Sequence, residues 1–262
     1  MNKEIQRDGE ITTKIFDNRS LEADYATLIP ILKPDMRVLD VGCGTGTISK
    51  GIAEKVGPDG YVTGIDNTEK FIVSGKETYQ HIKNLDLIYA DIFQFEPAEK
   101  FDLIVSARVL QWLNNPVDAL KRFKELLKPG GQVSVLDYNH EQLQWHPAPP
   151  ESMLRFYSTF LRWRADAGMN NNITEDLPEY FAEAGFYDIE IYDANEVYIK
   201  HQGNFLSKIG IWAKVAASTQ MVDEGYISNT DRLRAIDDYN TWIQSNAESM
   251  TMVLKEVRGR IA

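Results

Sequence analysis

Val38-Leu39-Asp40-Val41-Gly42-Cys43-Gly44-Thr45-Gly46 is the stretch on which the fold turns. Arg37 to Val41 is a short apolar run of the buried-strand type, and it passes directly into glycines that alternate with Cys43 and Thr45. Ile48, Ile52 and Val56 then recur at the spacing of one helix face, before the turn Gly57-Pro58-Asp59-Gly60. Glycine between a strand and a helix lets the backbone turn sharply and lets a ligand come close to the chain. Three glycines in five residues exceed what a plain turn requires.

Outward from this turn the strand–helix cycle repeats. Tyr61 to Ile65, closed by Asp66, reads as strand two, and Thr68 caps a helix expected to reach about Lys83. Leu85 to Ala90, closed by Asp91, is strand three, and Phe101 to Ala107 is strand four. Asn115-Pro116 starts a helix that ends at Pro129-Gly130-Gly131, and Gln132 to Asp137 is strand five. Upstream, Leu21, Tyr25, Leu28 and Leu32 predict one helix from Ser20 to Pro34, preceded by a flexible arm at residues 1–18. Strands alternating with helices imply an α/β fold: a doubly wound, parallel sheet with helices on both faces.

The pattern changes after Tyr138. Residues 139–172 carry Pro147, Pro149 and Pro150, then an aromatic helix with Phe156, Tyr157, Phe160 and Trp163. Thr174 to Ala184 reads as a helix packed on the sheet and stopped by Gly185; Tyr187 to Tyr192, extending toward Ile199, is strand six. Residues 203–248 read as helical. Met250 to Arg258 is assigned as a final antiparallel strand beside strand six, since the sheet otherwise ends on a long exposed edge. The expectation is a seven-stranded, mostly parallel sheet with helical insertions at about 139–172 and 203–248.

Composition narrows the function classes. With 262 residues and 43% hydrophobic content, the chain can bury a core without a disulfide or metal staple. A formal charge of −11 argues against a nucleic-acid partner, whose phosphates need a cationic face. One cysteine, Cys43, excludes an internal disulfide framework and a zinc knuckle, so no metal is expected. No apolar run approaches the ~20 residues of a membrane span, and Met1 to Gly9 is too polar for a signal peptide. A cytoplasmic protein without a membrane partner is expected.

Two ligand classes compete for the glycine turn. A dinucleotide site uses G-x-G-x-x-G, whereas here the third glycine comes one residue early and Thr47 holds the sixth position. Asp66 suits a ribose in either case. Asp40 discriminates: a carboxylate two residues before the glycines repels a pyrophosphate and suits a ligand that carries positive charge.

At these residues the sequence resembles the class I S-adenosylmethionine-dependent methyltransferases. Val38 to Gly46 looks like their first motif, Gly64-Ile65-Asp66 the second, Ala90-Asp91-Ile92 the third and Phe101-Asp102-Leu103-Ile104-Val105 the fourth. Leu126-Leu127-Lys128-Pro129-Gly130-Gly131 looks like the turn before strand five. The resemblance covers about residues 20–138 in order, and resumes more weakly around 174–200 and at Val257 to Arg260. It implies a Rossmann-like methyltransferase domain over 19–262, with S-adenosyl-L-methionine as cofactor and S-adenosyl-L-homocysteine as product. It also implies that Gly42, Cys43, Gly44 and Gly46 pass under the methionine portion and that Asp40 holds its cationic end. Asp66 takes the ribose hydroxyls with Asn67 beside it, Asp91 and the Ile92 N–H meet the adenine, and Ala107 to Gln111 wall the methionine end. Arg108 departs from the pattern, because a cation facing a sulfonium is unfavourable. Its side chain pairs either with a substrate carboxylate or with a neighbouring helix, the latter being favoured.

The implied chemistry needs no conspicuous catalytic residue, since the cofactor carries the difficult step. Tyr138, His140 and His146, placed on a loop just past strand five, are the nearest candidates. His140 is the candidate base and Tyr138 a candidate substrate contact. The segment 139–172 sets Arg155, Arg162 and Arg164 against Glu141, Glu151 and Asp166, locally neutral in an acidic chain. Arg162 and Trp163 are therefore candidates for an anionic or aromatic small-molecule acceptor. Four of the five tryptophans fall in the insertions, which suit either a lid or a subunit interface, in a monomer or a homodimer. The expected function is methyl transfer to a small molecule. The rivals are an RNA or protein methyltransferase, a non-catalytic cofactor-binding module and a nicotinamide dehydrogenase.

Overall fold

The computed structural model describes residues 19–262, so the arm expected at 1–18 lies outside the described residues. One eight-stranded sheet has the order β3-β2-β1-β4-β5-β8-β6, with β7 also paired to β8. Its strands are β1 (Arg37–Val41), β2 (Tyr61–Asp66), β3 (Leu85–Tyr89), β4 (Phe101–Ala107), β5 (Leu127–His146), β6 (Tyr187–Asp193), β7 (Glu196–Ile199) and β8 (Ser249–Arg260). β1 to β5 pair in parallel, and β6 and β7 pair antiparallel to β8. The sheet thus has one strand more than expected, because Ala194 and Asn195 split the sixth strand in two.

The helices are α1 (Leu21–Asp24), α2 (Thr47–Val56), α3 (Glu69–Tyr79), α4 (Pro116–Leu126), α5 (Glu151–Asp166), α6 (Ile173–Glu183), α7 (Phe205–Ile209), α8 (Ile211–Ala216), α9 (Gln220–Asp223) and α10 (Asn229–Ser245). Several follow directly from local chemistry. Asn115 caps α4 through its side chain, with Pro116 at the first turn, and Ser228 caps α10 the same way.

Four sequence expectations need correction. The single helix over Ser20 to Pro34 is one turn of α1 followed by a 3-10 helix, Ala26–Ile31. Tyr25, at φ −152°, breaks it, and Pro30 denies the second piece a regular hydrogen bond. The apolar spacing was still informative, for Leu21, Tyr25 and Leu28 are all buried. α3 stops at Tyr79, short of Lys83. Pro129-Gly130-Gly131 does not end a helix; α4 stops at Leu126, and those residues bulge out of β5 where its register with β4 slips. Most consequential, β5 does not stop at Asp137 but runs on to His146.

By compactness the chain divides into two units. The sheet unit comprises residues 19–138, Ile173–Ala194 and Leu254–Ala262. Its core includes Leu39, Val41, Ile104, Leu120, Phe123, Val133, Leu177, Phe181 and Val257, where α4 and α6 cover β1, β4, β5 and β8. The helical unit comprises Asn139–Asn172 and Asn195–Val253, so the expected insertions fall here with β7 and parts of β5 and β8 added. Its core is aromatic: Tyr157, Phe160 and Trp212 pack edge to face, and Tyr239 stacks on Trp242.

Candidate functional site

The carboxyl ends of β1, β2 and β4 carry the first cluster, all within the sheet unit. β1 delivers Asp40 and then Gly42, whose left-handed backbone (φ 74°) sits against the Val109 side chain so closely that a Cβ would clash. Gly46 has φ 84°, and a Cβ there would lie 2.7 Å from Leu87 Cδ1. Both positions therefore demand glycine. The turn is fixed to β2 by the N–H groups of Gly42 and Cys43, which both donate to the Ile65 carbonyl at 2.8 and 3.0 Å.

Asp66 ties the glycine turn to the next helix. Its Oδ2 accepts from the Gly44 N–H and its Oδ1 from the Thr68 N–H, each at 2.9 Å. A carboxylate is an acceptor-only group, suited to adjacent N–H and O–H donors. Asn67 next to it is exposed. Asp91 is also exposed, and its Oδ1 takes the Phe93 N–H at 2.8 Å, while Ile92 turns into the core.

Asp40 is 3% exposed, and Ser49 in the first turn of α2 donates to its Oδ2 at 2.6 Å. Burial raises its pKa from 3.8 to about 6; the Ser49 bond opposes the rise and the Asp66 charge adds to it. Such a carboxylate gains from any cation brought alongside. Burial, followed by the charges of Asp40 and Asp66, also pushes the Cys43 thiol up, so Cys43 is a neutral wall and not a nucleophile.

Asp40, Gly42, Cys43 and Gly44 line a small, partly open cleft, while Gly46, Asp66 and Asp91 are not among its lining residues. Asp40, Gly42, Cys43, Gly44 and Ala107 were expected there; Arg19, Thr47 and Ile48 were not. Thr47 and Ile48 are the first turn of α2 and follow from the motif. Arg19 is invisible to motif reasoning, since it stands alone before the Ser20 cap of α1.

Arg108 resolves in favour of structural pairing. Its Nε donates to the Tyr138 hydroxyl at 2.7 Å and its Nη2 to the Asp24 carbonyl at 3.0 Å. Tyr138, the last sheet-unit residue of β5, is thereby engaged with Arg108, whose guanidinium lies 5.3 Å from the centre of the Tyr138 ring.

The remaining candidates lie in the helical unit. His140 and His146 are not on a loop, because β5 carries both. His140 is 6% exposed, its ring edge-on to Phe160 and Trp212 at 6.1 Å. Burial first, and then the Arg164 charge, hold its imidazole well below 6.5, so it is neutral. His146 is exposed and faces Glu248 at 3.2 Å. Trp163 is buried and its Nε1 donates to Glu224 at 2.8 Å, while Arg162 is exposed, 5.9 Å from the Tyr226 ring. Both tie α5 to the segment around α9. No group of acidic, histidine and cysteine side chains that could hold a metal occurs among the described residues.

A parallel sheet that carries a left-handed glycine turn, and acidic side chains at the carboxyl ends of successive strands, has the architecture of a Rossmann-like methyltransferase. The chain belongs to the family described as a methyltransferase domain, whose match spans residues 32–185. It is 30% identical over 172 residues to a demethylmenaquinone methyltransferase of Staphylococcus aureus, covering 59% of this chain and 69% of that protein. The fold is similar to that of a S-adenosylmethionine-dependent methyltransferase from Aquifex aeolicus, with a TM-score of 0.57 at 17% identity over 99% of this chain and all of that one. It is also similar to phosphoethanolamine N-methyltransferase 2 of Haemonchus contortus in complex with S-adenosylhomocysteine, with a TM-score of 0.57 at 17% identity. That match covers 92% of this chain but only about half, 52%, of the Haemonchus protein. The protein is a S-adenosylmethionine-dependent methyltransferase.

Proposed function

We propose that the cleft at Asp40, Gly42, Cys43 and Gly44, with Asp66 bonded to its glycine turn, binds S-adenosylmethionine and serves methyl transfer to a small-molecule acceptor. The observation that carries this reading is that side chains of both charge signs line one cleft. Asp40 is a buried carboxylate, and Arg19 lines the same space. A zwitterionic amino-acid end fits that pair, its ammonium toward Asp40 and its carboxylate toward Arg19. The glycine turn leaves room for the chain of the ligand to pass, Asp66 accepts from the ribose, and the Asp91–Ile92 turn borders the adenine. Once bound, the cofactor supplies an electrophilic methyl group for in-line displacement by the acceptor.

The protein's own work is then to hold, orient and exclude water. A general base is needed only for an acceptor that arrives protonated. His140 is the candidate in that case, because a neutral imidazole keeps an acceptor nitrogen. Normal single-turnover transfer in His140→Ala removes it. Tyr138, Arg162 and Trp163 stay as proposed acceptor contacts. Cytoplasmic placement is likewise a proposal, resting on a single cysteine and on a cofactor made inside cells. Among the described residues no helix is long and apolar enough to cross a membrane.

Calorimetric titration with S-adenosylmethionine, S-adenosylhomocysteine and NADH tests the cleft. Binding of the two adenosyl compounds and not of NADH is the expected outcome. No binding of either adenosyl compound refutes the reading. An acceptor screen then begins with demethylmenaquinone, the compound in the Staphylococcus relative's name, and with small anionic and aromatic molecules. Transfer to RNA or protein alone refutes the small-molecule assignment.

A further inference from the structure

Arg108 stands where β4 leaves the sheet, and its backbone is left-handed, with φ 63°. Side chains of this size seldom adopt that conformation, and glycine would hold such a turn without strain. The arginine is nonetheless 5% exposed. Its backbone and its guanidinium are both tethered. Its N–H donates to the Leu136 carbonyl at 2.7 Å and its carbonyl accepts from Trp112 Nε1 at 3.0 Å. Its guanidinium bridges the Tyr138 hydroxyl and the Asp24 carbonyl.

The Asp24 carbonyl closes the short turn α1. Ser20 caps that turn through its hydroxyl, which accepts from the Ala23 N–H at 3.1 Å, and the Ser20 N–H donates to Asp24 Oδ2 at 2.9 Å. Arg19 precedes this cap by one residue and lines the same cleft as Asp40. A continuous chain of bonds thus runs from β5 through Arg108 to the backbone that carries Arg19.

We propose that Arg108 is a positioning residue for the carboxylate end of the cofactor: through the Asp24 carbonyl and the Ser20–Asp24 turn it holds Arg19 at the cleft. This rests on the cleft reading above and adds the means by which Arg19 is held there. A long arginine side chain on an untethered backbone loses more freedom when it pairs with an anion than one whose backbone is already fixed. Arg108 supplies that fixation without touching the ligand.

The test uses the full chain and two ligands, S-adenosylmethionine and its decarboxylated form, which lacks the carboxylate. Arg19→Ala and Arg108→Gln are each expected to weaken S-adenosylmethionine about tenfold. The double variant is expected to lose about tenfold and not a hundredfold, because both changes remove one interaction. All of these proteins should bind the decarboxylated ligand alike, which also shows that they are folded. Losses that multiply in the double variant, or that are equal for both ligands, overturn the proposal. Should Arg108→Gln fail to fold, Tyr138→Phe loosens the same guanidinium more gently. It is expected to weaken S-adenosylmethionine several-fold and leave the decarboxylated ligand unchanged; no change for either overturns the proposal. Should the wild type bind both ligands equally, Arg19 has no carboxylate to serve and the proposal fails. Asp66→Ala then separates the two levels: a loss of affinity leaves the cleft reading standing, and unchanged affinity refutes that as well.

Discussion

Replacing Asp40 by asparagine should make the apoprotein more stable and its cofactor harder to bind. In the folded chain the Asp40 pKa stands at about 6 in place of 3.8. That gap of about two pH units, at ~1.4 kcal/mol each, puts the cost of keeping the buried carboxylate ionised at neutral pH at about 3 kcal/mol. The sign follows from linkage. Above about pH 6 both states are ionised and the folded state bears the full cost; between about pH 6 and 3.8 only the folded state takes up a proton, so stability rises as pH falls. Asparagine keeps an oxygen for the Ser49 hydroxyl, which now donates at 2.6 Å, and removes the charge. For a chain of this size ~3 kcal/mol corresponds to a melting temperature higher by roughly 6–12 °C at pH 7.5, and the advantage should vanish near pH 4. Calorimetric melting of both proteins across that range measures it. In the same variant S-adenosylmethionine should bind with about 1–3 kcal/mol less free energy, since a charged partner for the ammonium is gone. His140 adds an opposite pH trend to both proteins and cancels in the difference. If Asp40→Asn melts at or below the wild type at pH 7.5, the carboxylate is not under electrostatic cost. If it melts higher yet binds the cofactor undiminished, Asp40 does not face a cation.

Three further outcomes are expected. Asp66→Ala should weaken S-adenosylmethionine by roughly 1–3 kcal/mol through loss of a charged acceptor; unchanged affinity by titration would place the ribose elsewhere. Because burial holds the His140 imidazole well below 6.5, its contribution to stability is complete above pH 6.5 and is lost as pH falls, when the unfolded chain alone takes up a proton. Urea unfolding of His140→Gln should therefore show a shallower decline from pH 7 to pH 5 than the wild type, and an unchanged decline would mean the imidazole is not held neutral. Glu256 is fully buried with Arg258 Nε at 2.6 Å, so Glu256→Gln should cost about 3–5 kcal/mol by leaving a buried guanidinium without its counter-charge; a loss under ~1 kcal/mol in the same unfolding experiment would show that Arg258 finds compensation elsewhere.

What was legible in the sequence tracks how local the cause is. β1, β4 and the start of α4 came out at their observed ends because an apolar run, an Asn-Pro cap or a glycine turn determines each within a few residues. β5 failed for the opposite reason. Residues 139–146 read as polar and irregular, yet Asn139 and His140 are buried. What holds them extended is pairing and packing supplied by residues distant in sequence. The His140 N–H donates to the Asn171 carbonyl, the Tyr157 hydroxyl donates to the His140 carbonyl, and the Glu248 N–H donates to the His146 carbonyl. None of those partners is marked by a motif, so a strand looked like a loop and its histidine looked accessible.

The site divides along the same line. Gly42, Gly46, Asp40 and Asp66 are legible because backbone geometry and desolvation restrict which residue types work there, and the restriction is felt within one strand–turn–helix unit. Arg19 is not legible, because any long cation at that position would read as a surface residue; only its place in the lining of the same cleft as Asp40 gives it meaning. Arg108 was half legible. That a cation could not sensibly face a sulfonium was clear from charge alone, and so was its need for another partner. The partner itself, a backbone carbonyl 84 positions away in sequence, carries no side-chain signature at all. An arginine that recognises a carbonyl is thus visible in sequence only as an anomaly. The same holds for Arg258, which donates to the Thr27 carbonyl of the 3-10 helix that follows α1. Two buried arginines, one just past β4 and one on β8, therefore clasp consecutive pieces of one N-terminal segment by its backbone.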